Sequence, residues 1–266
     1  MAEVKNPAGE QSDLRLAVLI DADNVSHGYV HLMMAEVARY GKPTIKRIYG
    51  DWTRPEAGGW KRDLLANAIT PMQQYSYTTG KNSTDSAMII DAMDILYTGS
   101  VDGFCIVSSD SDFTRLATRL REAGVLVIGI GEKKTPEPFI ASCDRFIYLE
   151  ILGEEQEQEP AKKGGAASKK SAAERAVHKQ HNKIPPQILK ILVSSVNDVA
   201  DDDGWAFLGD VGNLILRKQP SFDSRSYGYH KLTALINTLE RFEVQQRDTS
   251  NRGIKHIYIR DKNGGQ

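Results

Sequence analysis

Two groups of polar and acidic residues, one beginning at Asp21 and one ending at Asp112, come at the end of short runs rich in Val, Leu and Ile. A further acidic residue, Asp85, opens a helical pattern. If the runs are parallel strands, their carboxyl ends meet at one edge of a sheet, and the carboxylates converge there. The residues concerned are Asp21, Asp23, Asn24, Asp85, Asp110 and Asp112.

Converging carboxylates repel one another unless a cation offsets their charge. Mg²⁺ and Mn²⁺ prefer carboxylate oxygens, and such an ion activates water and stabilises charge on a phosphodiester. Asn24 and the serines at 108, 109 and 111 are suited to orienting the carboxylates or donating to a phosphate. In the alternative, Asp21, Asp85 and Asp112 only cap helices or turns. Capping does not require three groups to converge, so the pattern favours a metal site.

A second chemistry fits the first acidic group. The residues Asp21-Ala22-Asp23-Asn24-Val25 match the D-x-D-x-[TV] pattern of haloacid-dehalogenase-type phosphatases. In that hypothesis Asp21 forms an aspartyl phosphate and Asp23 acts as acid and base. The match rests on two aspartates, and no obvious cap insertion accompanies it. It remains an alternative enzyme class.

The elements that must position these acids alternate between strand and helix over residues 14–150. Short apolar runs bounded by polar sequence are typical of buried parallel strands. Strand–helix alternation indicates a three-layer α/β sandwich with a parallel central sheet. The predicted strands are 14–20, 44–50, 72–78, 103–108, 125–130 and 145–149, and the predicted helices are 28–40, 58–69, 83–98 and 112–123.

The remainder of the chain divides in two. Residues 153–182 hold acidic and basic blocks and small residues, a composition that predicts a flexible linker. Beyond it, three helical patterns (186–200, 209–217 and 229–239) precede a hairpin at 242–246 and 255–260. This order predicts a small winged-helix-like α+β domain at 183–262. The predicted domains are a tail at 1–13, an α/β domain at 14–152, the linker, and this second domain.

Composition excludes several classes of protein. The net charge of −1 argues against a basic coat for nucleic acid, and no apolar run approaches the roughly 20 residues that span a bilayer. The polar N-terminus lacks the apolar segment of a secretory signal. Cys105 and Cys143 form neither a disulfide framework nor a zinc motif. We therefore expect a cytoplasmic protein without a membrane partner.

The sequence also resembles a known family. The stretches LAVLIDADN, TGKNSTDSAMIIDAMDIL and DGFCIVSSDSDF are similar to the NYN domain, and in particular to its bacterial LabA-like branch, over residues 14–150. The resemblance implies a PIN-like fold and Mg²⁺- or Mn²⁺-dependent endonucleolytic cleavage of RNA that leaves a 5′-phosphate. It assigns the metal to Asp21, Asp85, Asp110 and Asp112, with Asn24 beside them as a further catalytic residue. Many relatives have Gly where this chain has Ser109.

The C-terminal segment resembles a second family. FDSRSYGYHKLTALINTLERFEV followed by IYIR is similar to the LOTUS (OST-HTH) domain, whose members bind RNA or partner proteins. Basic and aromatic residues of this region form a predicted RNA face, and Lys81 and Ser109 are predicted to meet RNA phosphates. Trp52 and Trp60 are candidates for base stacking or for packing. The predicted RNA-binding residues are Lys81, Ser109, Arg225, Tyr229 and Lys231.

The sequence thus predicts a divalent-metal-dependent ribonuclease with an RNA-recognition module. One alternative is a non-catalytic RNA-binding or scaffold protein that recruits a protein partner through its LOTUS-like domain. The other is the phosphatase that uses Asp21. The RNA preference and the oligomeric state do not follow from the residues.

Overall fold

A computed structural model of the chain describes residues 14–75, 83–158, 184–248 and 255–264. The chain divides into two units, with the boundary between Gln158 and Glu159.

The first unit is built around a six-stranded parallel sheet with the order β3-β2-β1-β4-β5-β6. The central strands are apolar on both faces, because helices cover the sheet on both sides. The strands are β1 Arg15–Asp21, β2 Lys42–Gly50, β3 Thr70–Gln73, β4 Gly103–Val107, β5 Leu126–Gly131 and β6 Arg145–Tyr148.

Two layers of helices cover the sheet. Helices α1, α2 and α6 pack on one face, and α3, α4 and α5 pack on the other. The helices are α1 Val30–Val37, α2 Trp60–Asn67, α3 Ser83–Thr98, α4 Thr114–Glu122, α5 Glu137–Ser142 and α6 Leu149–Gln158, and short 3-10 helices precede α1, α2 and α4. This architecture is the predicted three-layer α/β sandwich.

Alternation along β1 decides which helices its last residue faces. Val18 and Ile20 point toward α1, α2 and α6, whereas Ala17 and Leu19 point toward α3, α4 and α5. Because successive strand residues point to opposite faces, Asp21 belongs to the α3 side. The chain order also reverses between β1 and β4, which makes the crevice at their carboxyl ends the usual ligand site of such sheets.

In the first unit the structure differs from the predicted elements at α5, at α6 and at β3, which spans Thr70–Gln73 instead of the predicted 72–78. Helix α5 was not predicted, because its six residues are too few to show a helical period. Leu149 begins α6 instead of ending a strand, and α6 continues over residues 153–158, which the sequence assigns to the linker. Its buried Ile151 and Leu152 anchor this helix before the polar residues follow. Residues 76–78 of the predicted third strand and 159–182 of the linker lie outside the described residues.

The second unit is a small α+β domain with an antiparallel sheet in the order β7-β9-β8. Its helices and the inner face of the sheet share one core, which includes Leu192, Val211, Leu235 and Ile259. The elements are α7 Pro186–Val199, β7 Ala206–Phe207, α8 Leu208–Lys218, α9 Leu232–Asn237, β8 Phe242–Asp248 and β9 Lys255–Asp261. The predicted winged-helix-like arrangement is therefore present.

Helix α9 is shorter than the sequence pattern suggests. A 3-10 helix at Ser224–Tyr227 precedes it and ends at Gly228, whose φ of 84° is left-handed. Lys231 is extended, so the α-helix begins only at Leu232. Residues 206–207 form strand β7 because they pair with β9, a partner that lies about 50 residues further along the chain.

Among the described residues, no helix combines the length and the apolar character needed to cross a membrane. Cys105 and Cys143 are buried free thiols.

Gly129 in β5 provides a test of this packing. A Cβ atom there would lie 2.5 Å from Phe146 Cδ2 and 2.8 Å from Cys143 Sγ. We expect Gly129→Ala to lower the free energy of unfolding by about 1–3 kcal/mol through overpacking. Urea denaturation measures the loss. Gly58→Ala is the matched control, because its Cβ would meet nothing within 4 Å. Equal stability of the two variants would contradict this account of the core.

Candidate metal centre

The carboxylate of Asp21 is fully buried at the end of β1 and is held by three donors. Asn24 Nδ2 and Ser108 Oγ donate to Oδ2 at 2.6 and 2.9 Å. The backbone N–H of Asp23 donates to Oδ1 at 3.0 Å. Burial raises the pKa of Asp21 above its ordinary value, and these three hydrogen bonds oppose the rise.

Ser108 connects this carboxylate to the turn that follows β4. Its hydroxyl donates to Asp21 and accepts the backbone N–H of Asp110 at 3.1 Å. Asp110 in turn caps the 3-10 helix Ser111–Phe113, since its Oδ1 accepts the N–H of Asp112 at 2.9 Å. Asp110 therefore acts as a helix cap through one of its carboxylate oxygens. Because a carboxylate has two oxygens, this role is compatible with metal binding through the other.

Asp85, Asp110 and Asp112 form a cluster of carboxylates. Each contributes one oxygen to a group in which all of these oxygens lie within 4.8 Å of one another. Asp85 comes from the first turn of α3, and the other two come from the turn after β4. The pKa of Asp85 is raised from 3.8 to about 6, first by burial and then by the negative charges of Asp21, Asp110, Asp112 and Asp23.

Two contacts fix α3, which carries Asp85, against the sheet. Thr84 Oγ1 donates to Asp23 Oδ2 at 3.3 Å. Further along the helix, Asp91 accepts hydrogen bonds from Arg47 and Tyr49 of β2. Asp91 therefore faces β2 and does not join the acidic cluster, as its helical spacing from Asp85 predicts.

The donor set of the cluster suits a hard divalent cation. Three carboxylates from two chain segments supply oxygen ligands, which Mg²⁺ and Mn²⁺ prefer. Of the four acids assigned to the metal by resemblance, the structure brings three into one cluster. Asp21 lies next to them as a buried, fully hydrogen-bonded carboxylate.

The residues predicted to bind RNA have different surroundings. Lys81 lies outside the described residues. Ser109 is buried, and its hydroxyl accepts the N–H of Glu132 at 2.8 Å. The Arg225 side chain is 7% exposed and donates to both carboxylate oxygens of Asp223. Tyr229 packs against the core of the second unit, whereas Lys231 is exposed.

The structure brings together a set of basic and aromatic side chains that the sequence reading missed. They lie along the outward face of the three-stranded sheet, and we call them the arginine–aromatic row. The Arg247 guanidinium lies 4.2 Å from the ring centre of Tyr258 and 5.3 Å from that of Trp205. The row consists of Trp205, Phe207, Arg247, His256, Tyr258 and Arg260.

Alternation along β9 is the signal that would have revealed this row. His256, Tyr258 and Arg260 alternate with Ile257 and Ile259, which belong to the core. The period of two places the three polar or aromatic side chains on the outward face. The partners from β7 and β8 become apparent only from the pairing of the strands.

The comparisons with known proteins agree with this architecture. The family model of the NYN domain matches residues 15–150, and that of the OST-HTH/LOTUS domain matches residues 180–254. The chain belongs to the NYN family, and its fold is the PIN-like α/β fold followed by a small α+β domain. Both families support a nuclease or RNA-binding role. No curated protein matches the sequence.

Three solved structures illustrate the similarity. A protein of unknown function from Vibrio parahaemolyticus is 20% identical over 50% of this chain and 91% of its own, with a TM-score of 0.43. An uncharacterized protein from Nitrosomonas europaea is 32% identical over 38% of this chain and 91% of its own, with a TM-score of 0.29. A protein segment from Chromobacterium violaceum is 31% identical over 32% of this chain and 90% of its own, with a TM-score of 0.25.

The raised pKa of Asp85 gives a pH dependence to the stability of the metal-free protein. Between about pH 4 and pH 6 the folded chain binds a proton at Asp85 that the unfolded chain releases. We therefore expect the free energy of unfolding, measured by urea denaturation in EDTA, to fall as the pH rises through this window.

Asp85→Asn serves as the comparison, because it removes the titrating group. The variant should show a flatter profile over the same window and greater stability than the wild type near pH 7 in EDTA. Parallel profiles for the variant and the wild type would contradict the assignment of this slope to Asp85.

Proposed function

We propose that the chain is a divalent-metal-dependent ribonuclease that hydrolyses RNA phosphodiester bonds. The observation that carries the proposal is the cluster formed by Asp85, Asp110 and Asp112 at the carboxyl ends of the strands. It lies at the β1–β4 crevice of a PIN-like domain, and a second domain of an RNA-associated family follows it. The family resemblance favours endonucleolytic cleavage, and the cytoplasm is the compartment that the composition of the sequence favours.

The residues divide into two roles. Asp85, Asp110 and Asp112 would hold Mg²⁺ or Mn²⁺, which when bound lowers the pKa of water and offsets charge on a phosphodiester. Asp21 holds Asn24 and Ser108 in place through its hydrogen bonds and adds negative charge beneath the cluster. Ser108 thereby sets the position of the turn that carries Asp110.

The phosphatase alternative conflicts with the environment of Asp21. A nucleophilic carboxylate must reach a phosphorus atom, but the Asp21 side chain has no exposure to solvent. Three hydrogen bonds also occupy its two oxygens. We therefore favour phosphodiester hydrolysis over an aspartyl-phosphate intermediate, and trapping of that intermediate would reverse this preference.

RNA recognition by the second unit is supported by the arginine–aromatic row. Exposed faces of aromatic rings and guanidinium groups stack on nucleobases, and arginines also attract the phosphate backbone. Lys231 remains a candidate contact on the helical side of the same unit, whereas Arg225 is committed to its buried pair with Asp223. A protein partner at this domain remains an alternative role.

Asp110→Asn tests the catalytic part of the proposal. We expect the substitution to lower the Mg²⁺- or Mn²⁺-dependent cleavage of RNA by at least about 100-fold, because it replaces a proposed metal ligand and loss of an outer-shell partner alone costs about 10–100-fold. Asn still accepts the capping hydrogen bond, so the fold should persist. The assay uses single-stranded, duplex and structured RNA with Mg²⁺, Mn²⁺ or EDTA.

Asp94→Asn is the matched control for this assay. Asp94 is exposed on α3, so the change in charge is the same but lies outside the cluster. Wild-type activity is expected for this variant. Equal cleavage by Asp110→Asn and the wild type would refute the site, and RNA binding without any cleavage would favour the scaffold alternative.

Arg247→Ala tests the RNA-recognition part. Removal of the guanidinium between Trp205 and Tyr258 should weaken the binding of single-stranded RNA by about tenfold, a typical loss for one stacking contact. Fluorescence anisotropy in EDTA measures the affinity without cleavage. Lys190→Ala, an exposed cation on α7, is the control. If Lys231→Ala weakens binding and Arg247→Ala does not, RNA occupies the helical side instead.

A further inference from the structure

Two adjoining cavities open beside the strand-end loop that follows Asp21. The smaller, about 170 Å³, is lined by residues that include Ala22, Asp23 and Trp60. The larger, about 480 Å³, extends along α2 past Lys61 and Leu65. Both are bounded by Trp52, Arg54 and Ala57, so they form one groove that begins next to the acidic cluster. We call it the tryptophan groove.

The lining of the larger cavity is apolar and cationic. Its walls include Trp52, Leu64 and Pro71, and its charged lining residues are Arg54 and Lys61. Among the described residues, no carboxylate lines the larger cavity, whereas Asp23 and Asp51 line the smaller one, where Asp51 Oδ2 lies 3.7 Å from Arg54 Nε. Leu65 stands at the edge of the larger cavity with 75% of its surface exposed, so its side chain is available to a ligand in the groove.

The indole of Trp52 is held in place before any ligand arrives. Its Nε1 donates to the carbonyl of Met72 at 3.0 Å, and its backbone N–H donates to Gln73 Oε1 at 3.0 Å. Its ring meets the ring of Trp60 edge to face, with ring centres 6.5 Å apart. Trp60 is itself 6% exposed and belongs to the core, so Trp52 is a fixed aromatic wall.

We propose that the tryptophan groove binds one unpaired nucleobase of the RNA whose backbone crosses the acidic cluster. A base presents flat apolar faces to Trp52 and Leu65, and the phosphates on either side of it attract Arg54 and Lys61. The proposal rests on the proposed function of the neighbouring cluster, and it adds the class of substrate. A base inside a duplex is stacked and paired, so it cannot enter, and the substrate is single-stranded RNA.

Continuity with the cluster favours a base over an apolar peptide. Asp23 lines the groove, and its carboxylate accepts a hydrogen bond from Thr84, the residue before Asp85. RNA carries a negative charge on each phosphate and a flat ring on each nucleotide, so it matches both the proposed metal site and the aromatic wall of the groove. A peptide matches the apolar walls but not the adjacent metal site.

Photocrosslinking of the full chain in EDTA tests this assignment independently of cleavage. Single-stranded RNA that contains 5-iodouridine is irradiated with the protein, and mass spectrometry identifies the linked peptides. We expect a crosslink in the peptide that holds Trp52. An otherwise identical duplex should give at least about a tenfold lower yield, because its bases stay stacked.

Leu65→Glu supplies the variant, because it places a negative charge at the edge of the groove on an exposed helix position. The crosslink at Trp52 should fall by about tenfold, as expected for a lost base contact. Ile90→Glu is the matched control, since Ile90 is an aliphatic residue on another helix with 63% exposure. It should leave the crosslink unchanged.

The outcomes separate the two proposals. A crosslink at Trp52 that is lost in Leu65→Glu supports the groove even if the protein does not cleave RNA in Mn²⁺. Cleavage in Mn²⁺ without a crosslink at Trp52 overturns the groove and leaves the ribonuclease proposal intact. Crosslinks confined to the second unit, or equal yields from duplex and single strand, also overturn it.

Discussion

Crowding of negative charge at one edge of the sheet is the constraint on which the rest of the first unit depends. Asp21 is buried, and among the described residues its carboxylate is stabilised by Asn24, Ser108 and a backbone N–H. A buried carboxylate costs free energy unless hydrogen bonds satisfy it, so these donors cannot be exchanged for apolar groups. Because Ser108 also accepts the N–H of Asp110, one hydrogen-bond network both satisfies the buried Asp21 and positions the half-buried Asp110.

Packing of helix α3 on the sheet holds the carboxylates together against their mutual electrostatic repulsion. Helix α3 brings Asp85 to within 4.8 Å of two further carboxylates, and the core contacts of Met88 and Ala92 secure this helix on the sheet. The hydrogen bonds from Arg47 and Tyr49 to Asp91 add a polar link to β2 on the same helix. Burial, followed by the hydrogen bond to Asp91, raises the pKa of Tyr49, so its hydroxyl remains a donor.

The sequence predicts the strands and the edge at which the acids meet, because buried parallel strands are short apolar runs and ligands lie at their carboxyl ends. It does not separate the fully buried Asp21 from the acids of the cluster, since a donor that satisfies Asp21 comes from Ser108, which lies 87 residues away. An arginine such as Arg225 is expected at the surface, but its guanidinium forms a buried ion pair with Asp223, and the sequence does not predict this pair. The arginine–aromatic row combines strands that pair only in the tertiary structure.

The strand order determines when the site can form during synthesis of the chain. β1 lies between β2 and β4, so the edge that holds Asp21 stays incomplete until the chain has reached residue 107 and β4 has paired. Pairing between distant segments is slow compared with the formation of local structure. The carboxylate cluster therefore forms only after the chain from β1 to the turn after β4 has been synthesised and β4 has paired with β1.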